Sequence, residues 1–150
     1  MRSCRAAIFA AISAGAATVL VATLAAWAQT PSPASANERQ VLLVKQDESD
    51  CTNTTVPSGN PETVGGDLLL TRGSDGNTTV KIAMTVSPDT TYHFFLKCVR
   101  QLGDIKTGDE GTAFATFTFP TDSVGSTYGF DMYPEGAPLG NKFQSATVKF

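Results

Sequence analysis

The sequence is poor in the residues that metal binding and acid–base catalysis use. It contains a single histidine, His93, and three cysteines, none of them in a Cys-x-x-Cys pair. A structural zinc site draws on about four cysteine or histidine ligands, and general acid–base catalysis needs a second group within hydrogen-bond reach of the base. No such group stands near His93 in the sequence, so we interpret it as a half-exposed strand residue. We therefore predict that the protein is not an enzyme and that it holds no metal and no other cofactor.

Clusters of basic residues are also lacking. The chain has 11 lysine and arginine residues against 14 aspartate and glutamate residues, and these charges are scattered along it. Nucleic-acid binding depends on clustered positive charge, so the composition argues against a nucleic-acid partner. The acidic runs at 47–50 and 109–110 lack the alternating ligands and closing acid of a calcium loop. We interpret them as solvated turns.

Charge is missing altogether from residues 6–26, an alanine-rich apolar stretch that follows Arg2 and Arg5. A basic start, an apolar run and the small-x-small sequence Ala26-Trp27-Ala28 are the order typical of a secretory signal peptide. The alternative is a membrane anchor, since the run is long enough to span a bilayer. Its mild hydrophobicity and the lack of a basic cluster after it argue against an anchor. We therefore predict a signal peptide over residues 1–28.

Cleavage is expected between Ala28 and Gln29 and would leave a chain with no membrane anchor. Residues 29–40 are rich in proline, serine and alanine, which is typical of a flexible leader. The rest, residues 41–150, is long enough for one domain with a core. The alanine-rich signal peptide suggests a bacterial protein that is periplasmic or secreted.

Helical periodicity is absent after residue 40, where apolar residues recur at every second position instead. Turn signals such as Gly73-Ser74-Asp75-Gly76 separate about seven or eight short strands. One apolar face per strand suits two antiparallel sheets that pack face to face. The sequence therefore predicts an all-β fold, an antiparallel two-sheet sandwich.

Two cysteines, Cys51 and Cys98, remain once the signal peptide is removed. An even number of cysteines in an exported chain suggests a disulfide bond. Their wide separation argues against a redox pair. We predict a disulfide between Cys51 and Cys98.

The stretch Val86-Ser87-Pro88-Asp89-Thr90-Thr91-Tyr92 resembles the L-x-P-x-T-x-Y signature of fibronectin type III domains. In that family the signature leads into the penultimate strand and places a tyrosine corner, whose hydroxyl binds nearby backbone. The G-x-x-x-T-x-x-x-G turn from Gly103 to Gly111 is similar to turns in Ig-like domains of exported bacterial proteins. The resemblance implies an Ig-like or fibronectin type III-like sandwich. The chain departs from the fibronectin pattern because it continues well beyond the point at which such a domain would end.

Four aromatic residues lie off the strand faces that we assign to the core, namely Phe95, Phe114, Tyr133 and Phe143. Carbohydrate platforms usually rely on tryptophan, and the single tryptophan, Trp27, lies in the predicted signal peptide. We predict that these four residues form a contact surface for a protein or a cell-envelope component whose identity is unknown.

Two functions remain open. The first is an exported, non-enzymatic β-sandwich module that acts by binding. The alternative is a small outer-membrane β-barrel protein, because Phe150 ends the chain on an alternating strand, as in the closing strand of such barrels. The strands are mostly shorter than a barrel needs and are interrupted by proline and glycine, which favours the first hypothesis.

Overall fold

The computed structural model describes residues 35–59, 63–136 and 142–150. The predicted signal peptide, its cleavage site between Ala28 and Gln29 and most of the predicted leader lie outside these residues. In the described part, the chain forms ten strands and one short 3₁₀ turn, Thr121–Ser123. The strands are β1 (Glu38–Lys45), β2 (Val64–Arg72), β3 (Asn77–Thr85), β4 (Thr91–Leu96), β5 (Arg100–Lys106), β6 (Thr112–Pro120), β7 (Thr127–Tyr128), β8 (Phe130–Pro134), β9 (Phe143–Ser145) and β10 (Val148–Lys149).

Eight strands form one sheet in the order β5-β4-β8-β9-β1-β2-β3-β6, and β7 pairs separately with β10. All of these pairings are antiparallel. The predicted alternation is clear in β4, where Tyr92, Phe94 and Leu96 are buried and the residues between them are half-buried. The all-β, antiparallel prediction is confirmed.

The large sheet curls until its edge strands β5 and β6 contact each other, so that it is nearly barrel-shaped. Gly103 on β5 allows this approach, because a Cβ atom there would lie 2.5 Å from the ring of Phe117 on β6. The Phe117 ring also stacks on Phe94 of β4, with ring centroids 5.6 Å apart. The sequence predicted two sheets, whereas the structure has one curled sheet and a small second one. Both arrangements bury one face of each strand, so the period of two does not distinguish them.

The core fills the inside of the curled sheet. Phe94 lies between Phe117 and Phe130, and its centroid is 5.3 Å from that of Phe130. Burying a large apolar side chain contributes roughly 1.5–3 kcal/mol. The fully buried apolar side chains come from most of the strands; they include Leu43, Leu68, Leu70, Val80, Phe94, Leu96, Phe119, Phe130, Met132 and Val148.

The turn before β4 has the hydrogen bond that the fibronectin-like stretch implies. The backbone N–H of Ser87 donates to the hydroxyl of Tyr92 at 3.2 Å. The hydroxyl of Thr107 donates to the carbonyl of Ser87 at 2.7 Å. Gly111, whose φ is +76°, lies so close to the carbonyl of Val86 that a Cβ would be 2.0 Å from its oxygen. The two turns singled out in the sequence therefore pack against each other.

The first strand begins earlier than predicted. Residues 38–40 belong to β1 and pair with Leu69, Leu70 and Thr71 of β2. Their polar composition suggested a leader, but pairing with β2 satisfies their backbone groups whatever their side chains are. The alternating strand predicted to end at Phe150 is interrupted after Ser145, so that the last part of the chain forms β9 and β10.

Candidate functional site

An aromatic patch lies on the outer face of β4 and β8. We use this name for His93, Phe95 and Tyr133. The rings of Phe95 and Tyr133 stack with their centroids 4.8 Å apart, and the His93 ring meets both of them edge-on. The strands create the patch, because His93 pairs with Tyr133 across the two strands while Phe94 points into the core.

The structure brings together two of the four predicted contact residues, Phe95 and Tyr133. Phe114 lies elsewhere, on β6 opposite Ala83 of β3, and is 83% exposed. Phe143 is 8% exposed and packs where a side chain at Gly65 would clash with its ring. Alternation along the last strand predicts that Phe143 faces away from the core. Both faces of β9 are covered, however, so Phe143 is buried whichever face it lies on.

His93 has a carboxylate partner that the sequence reading missed. Its Nδ1 donates to Oδ1 of Asp104 at 2.7 Å, and the side-chain amide of Gln101 donates to the same oxygen at 2.5 Å. Asp104 lies opposite His93 because β4 and β5 are antiparallel neighbours. A histidine–carboxylate pair orients an imidazole, but a hydrolytic site also needs a nucleophile at the other ring nitrogen.

Lys142 lies at the other side of the patch. Its Nζ is 5.5 Å from the centroid of the Tyr133 ring, a cation–π arrangement, and 3.1 Å from a carboxylate oxygen of Asp47. The hydrogen bond with Asp47 raises the pKa of Lys142 above its ordinary value. The patch therefore has an apolar centre with charged and amide groups around it.

Next to the patch, a group of buried polar side chains lies beneath residues 46–59, the described part of the β1–β2 loop. We call Asn53, Lys97, Asp131 and Gln144 the polar cluster. All four are buried; Asn53 and Gln144 are fully so. Buried polar groups destabilise a fold unless they are hydrogen-bonded, so their partners decide what the cluster does.

Lys97 is at the centre of the polar cluster. Its Nζ donates to Oδ1 of Asn53 and to the carbonyl of Glu48, both at 2.5 Å. Oδ1 of Asp131 is 3.8 Å from the same nitrogen. The amine therefore joins the β1–β2 loop to the end of β4 and to β8.

The two amide side chains complete the network. Asn53 donates to the carbonyls of Phe130 and Ser145 at 3.3 and 3.1 Å. Gln144 donates to Asp131 at 3.0 Å and accepts from the backbone N–H of Glu48 at 2.7 Å. The loop is therefore fixed to β8 and β9 by side chains as well as by backbone.

Burial raises the pKa of Asp131 above its ordinary value, and the positive charge of Lys97 opposes this shift. The rise means that the neutral carboxylic acid is favoured relative to an exposed aspartate.

The predicted disulfide is present beside the polar cluster. Cys51 of the β1–β2 loop is bonded to Cys98, which directly follows Lys97. Sequence reasoning found the disulfide but not the cluster. Alternation along the strand places Lys97 on its outer face, and nothing in a single sequence shows that a loop covers Lys97 and Asn53.

Within residues 35–59, 63–136 and 142–150, no group of three or more histidine, cysteine, aspartate or glutamate side chains is arranged to hold a metal ion. In the same part of the chain, no helix is long and apolar enough to cross a membrane.

Comparison of the sequence with models of known protein families gives no match, and comparison with curated protein sequences gives none either.

Proposed function

We propose that this protein is an exported, non-enzymatic module that binds a protein or a cell-envelope component through the aromatic patch. The observation that carries the proposal is the stack of Phe95 on Tyr133, centroids 4.8 Å apart, on the outer face of the sheet. Outward positions of an antiparallel sheet are ordinarily polar. Packing inside the core therefore does not explain why two stacked rings lie there.

The surroundings of the patch favour a macromolecular partner. Asp104 and Gln101 lie on one side of it, and Lys142 with Asp47 lies on the other. An apolar aromatic centre with a polar rim is the usual arrangement of a protein-binding hot spot. The rings already contact one another, so fewer side-chain conformations would be lost on binding.

Export and fold family belong to the same proposal. The Cys51–Cys98 disulfide supports export, because disulfides persist in oxidising compartments such as the periplasm. The stretch 86–92 and the Ser87–Tyr92 hydrogen bond support an Ig-like or fibronectin type III-like sandwich. Fold resemblance alone carries little functional weight, so the binding proposal rests on the patch.

A photo-crosslinking residue tests the binding surface. Benzoylphenylalanine would replace the half-buried Phe95 in one variant and Phe114, an exposed aromatic outside the patch, in another, in cells that export the protein. We expect a specific adduct from position 95, weakened by Tyr133→Ala, and no such adduct from position 114. Adducts from position 114 alone, or from neither position, would reject the patch as the binding surface.

Fractionation tests the export proposal. We expect the protein in the osmotic-shock or culture fluid, with a mass that begins at Gln29. Retention in the outer membrane would instead favour the small outer-membrane β-barrel.

A further inference from the structure

Three buried side chains of the polar cluster hold the groups needed to form an amide bond. The Lys97 amine is 2.5 Å from the Asn53 amide oxygen, and the Asp131 carboxyl oxygen is 3.8 Å from that amine. Asn53 is 0% exposed, Lys97 6% and Asp131 8%. An amine, an amide and a carboxyl group therefore meet where water is largely excluded.

The amine can act as a nucleophile only when it is neutral. An ammonium group at Lys97 would have two short hydrogen bonds, to Asn53 and to Glu48, while its carboxylate partner lies beyond hydrogen-bond distance. Transfer of one proton from Lys97 to Asp131 would remove both buried charges, which burial favours. The raised pKa of Asp131 is in the direction that this transfer requires.

We propose that Lys97 and Asn53 join in an intramolecular isopeptide bond, with Asp131 carrying the proton. The neutral Nζ of Lys97 attacks Cγ of Asn53, and the neutral Asp131 carboxyl protonates the amide oxygen. Asp131 then takes a proton from Nζ and delivers it to Nδ2. The Cγ–Nδ2 bond breaks, ammonia leaves, and the proton on the amide oxygen returns to Asp131. One amine and one primary amide give one secondary amide and one ammonia, so no oxidant or co-reactant is needed.

The arrangement of Asn53 supports this direction of attack. Its Nδ2 group is held by the carbonyls of Phe130 and Ser145, so the opposite, oxygen side of the amide faces Lys97. Holding two reacting groups in place raises their effective concentration to about 10⁵–10⁸ M in favourable cases. A reaction between an amine and an amide that is very slow in water becomes feasible under these conditions.

The bond would act as a second covalent link between the β1–β2 loop and the end of β4. Asn53 and Lys97 lie beside the disulfide residues Cys51 and Cys98. Unlike the disulfide, the isopeptide bond is not broken by reductants. The loop would therefore stay attached in a reducing environment.

Mass spectrometry of the exported, cleaved protein tests the proposal. After reduction and alkylation, the isopeptide bond lowers the mass by about 17 Da through loss of ammonia. Cyclisation of a new N-terminal Gln29 gives the same loss, so the bond has to be assigned by digestion. We expect a branched peptide that joins Asn53 to Lys97, and no tryptic cleavage after Lys97.

Lys97→Met and Asp131→Asn are both expected to abolish the branched peptide. Lys142→Met, which removes another partly buried lysine beside a carboxylate, is expected to retain it. A folded wild-type protein whose digest contains separate, unmodified Asn53 and Lys97 peptides would overturn the proposal. This outcome is decisive even if the Asp131 variant does not fold, because it needs only the wild type.

Discussion

The molecule has two buried regions of opposite chemistry. Inside the curled sheet, Phe94 packs between two other phenylalanine rings. Beneath the β1–β2 loop, Lys97 and Asp131 are nearly as buried but are polar and ionisable. An apolar core tolerates many side chains of suitable volume, whereas a buried polar network is favourable only when each member keeps its partners. Both regions therefore contribute to stability, and the second also determines where the loop is held.

The largest expected effect is in the apolar core. Phe94→Ala removes a fully buried ring and should lower the free energy of unfolding by about 3–5 kcal/mol. Urea denaturation measures this, and Phe114→Ala is the matched control because Phe114 is 83% exposed. The control should change stability by no more than about 0.5 kcal/mol. Similar losses in both variants would contradict the assignment of the core.

The polar region should respond to the loss of one partner almost as strongly. Lys97→Met leaves the Asn53 side-chain oxygen and the Glu48 carbonyl without their donor, and each buried polar group without a partner costs about 1–3 kcal/mol. Adding Asp131→Asn should cost less than the sum of the two single changes, because the groups act together. A double-mutant cycle by urea denaturation gives this coupling, and strict additivity would show that Lys97 and Asp131 do not interact.

A reductant distinguishes the disulfide from the proposed isopeptide bond, because it breaks only the disulfide. The disulfide closes a sequence separation of 47 residues, for which the chain-entropy model gives about 4 kcal/mol. If the Lys97–Asn53 bond closes nearly the same loop, dithiothreitol should destabilise the wild type by much less than this amount. In Lys97→Met the full effect should appear. Equal effects of the reductant on both proteins would show that the disulfide is the sole link.

A smaller effect is expected from pH. Burial raises the pKa of Asp131 above its ordinary value of 3.8, so the folded state holds this proton more tightly than the unfolded chain does. The contribution of Asp131 is therefore greatest below pH 3.8 and is lost as the pH rises from there through the raised value. The stability difference between wild type and Asp131→Asn, measured across this range, should fall with increasing pH. A difference that rises with pH would mean that Asp131 is stabilised as the carboxylate.

The smallest expected effect on stability comes from a polar group inside the apolar region, the hydroxyl of Tyr128. The hydroxyl of Tyr128 is buried, and burial raises its pKa to about 12, although the guanidinium of Arg72 opposes the shift. The unfolded chain loses this proton from pH 10 upward, so stability should fall as the pH rises from 10 to about 12. Tyr128→Phe should remove this part of the alkaline slope and leave neutral-pH stability nearly unchanged. If stability falls with pH equally steeply in Tyr128→Phe, other groups cause the loss of stability at alkaline pH.

The two regions also differ in how far the sequence predicts them. Alternation around Tyr92, Phe94 and Leu96 identifies the buried face of a strand, because burial on one side imposes a period of two. The closure of the sheet depends on Gly103 meeting Phe117 from the other edge strand, a contact that no local pattern encodes.

The candidate site is less predictable than the core. Outward-facing Phe95 and Tyr133 follow from alternation, but His93 meets Asp104 only through the pairing of β4 with β5. Phe143 was misplaced because a strand covered on both faces has no exposed side. Asn53 and Lys97 come together through loop packing, which depends on tertiary contacts rather than on periodicity.

Hydrogen exchange at the backbone amide of Glu48 tests most directly whether the β1–β2 loop is held by the polar cluster. This amide donates to the Gln144 side chain at 2.7 Å. We predict that it exchanges as slowly as amides of the central strands in the wild type, and much faster in Lys97→Met while the central strands stay protected. Rapid exchange of the Glu48 amide in the wild type would contradict the account, because the loop would then open independently of the cluster.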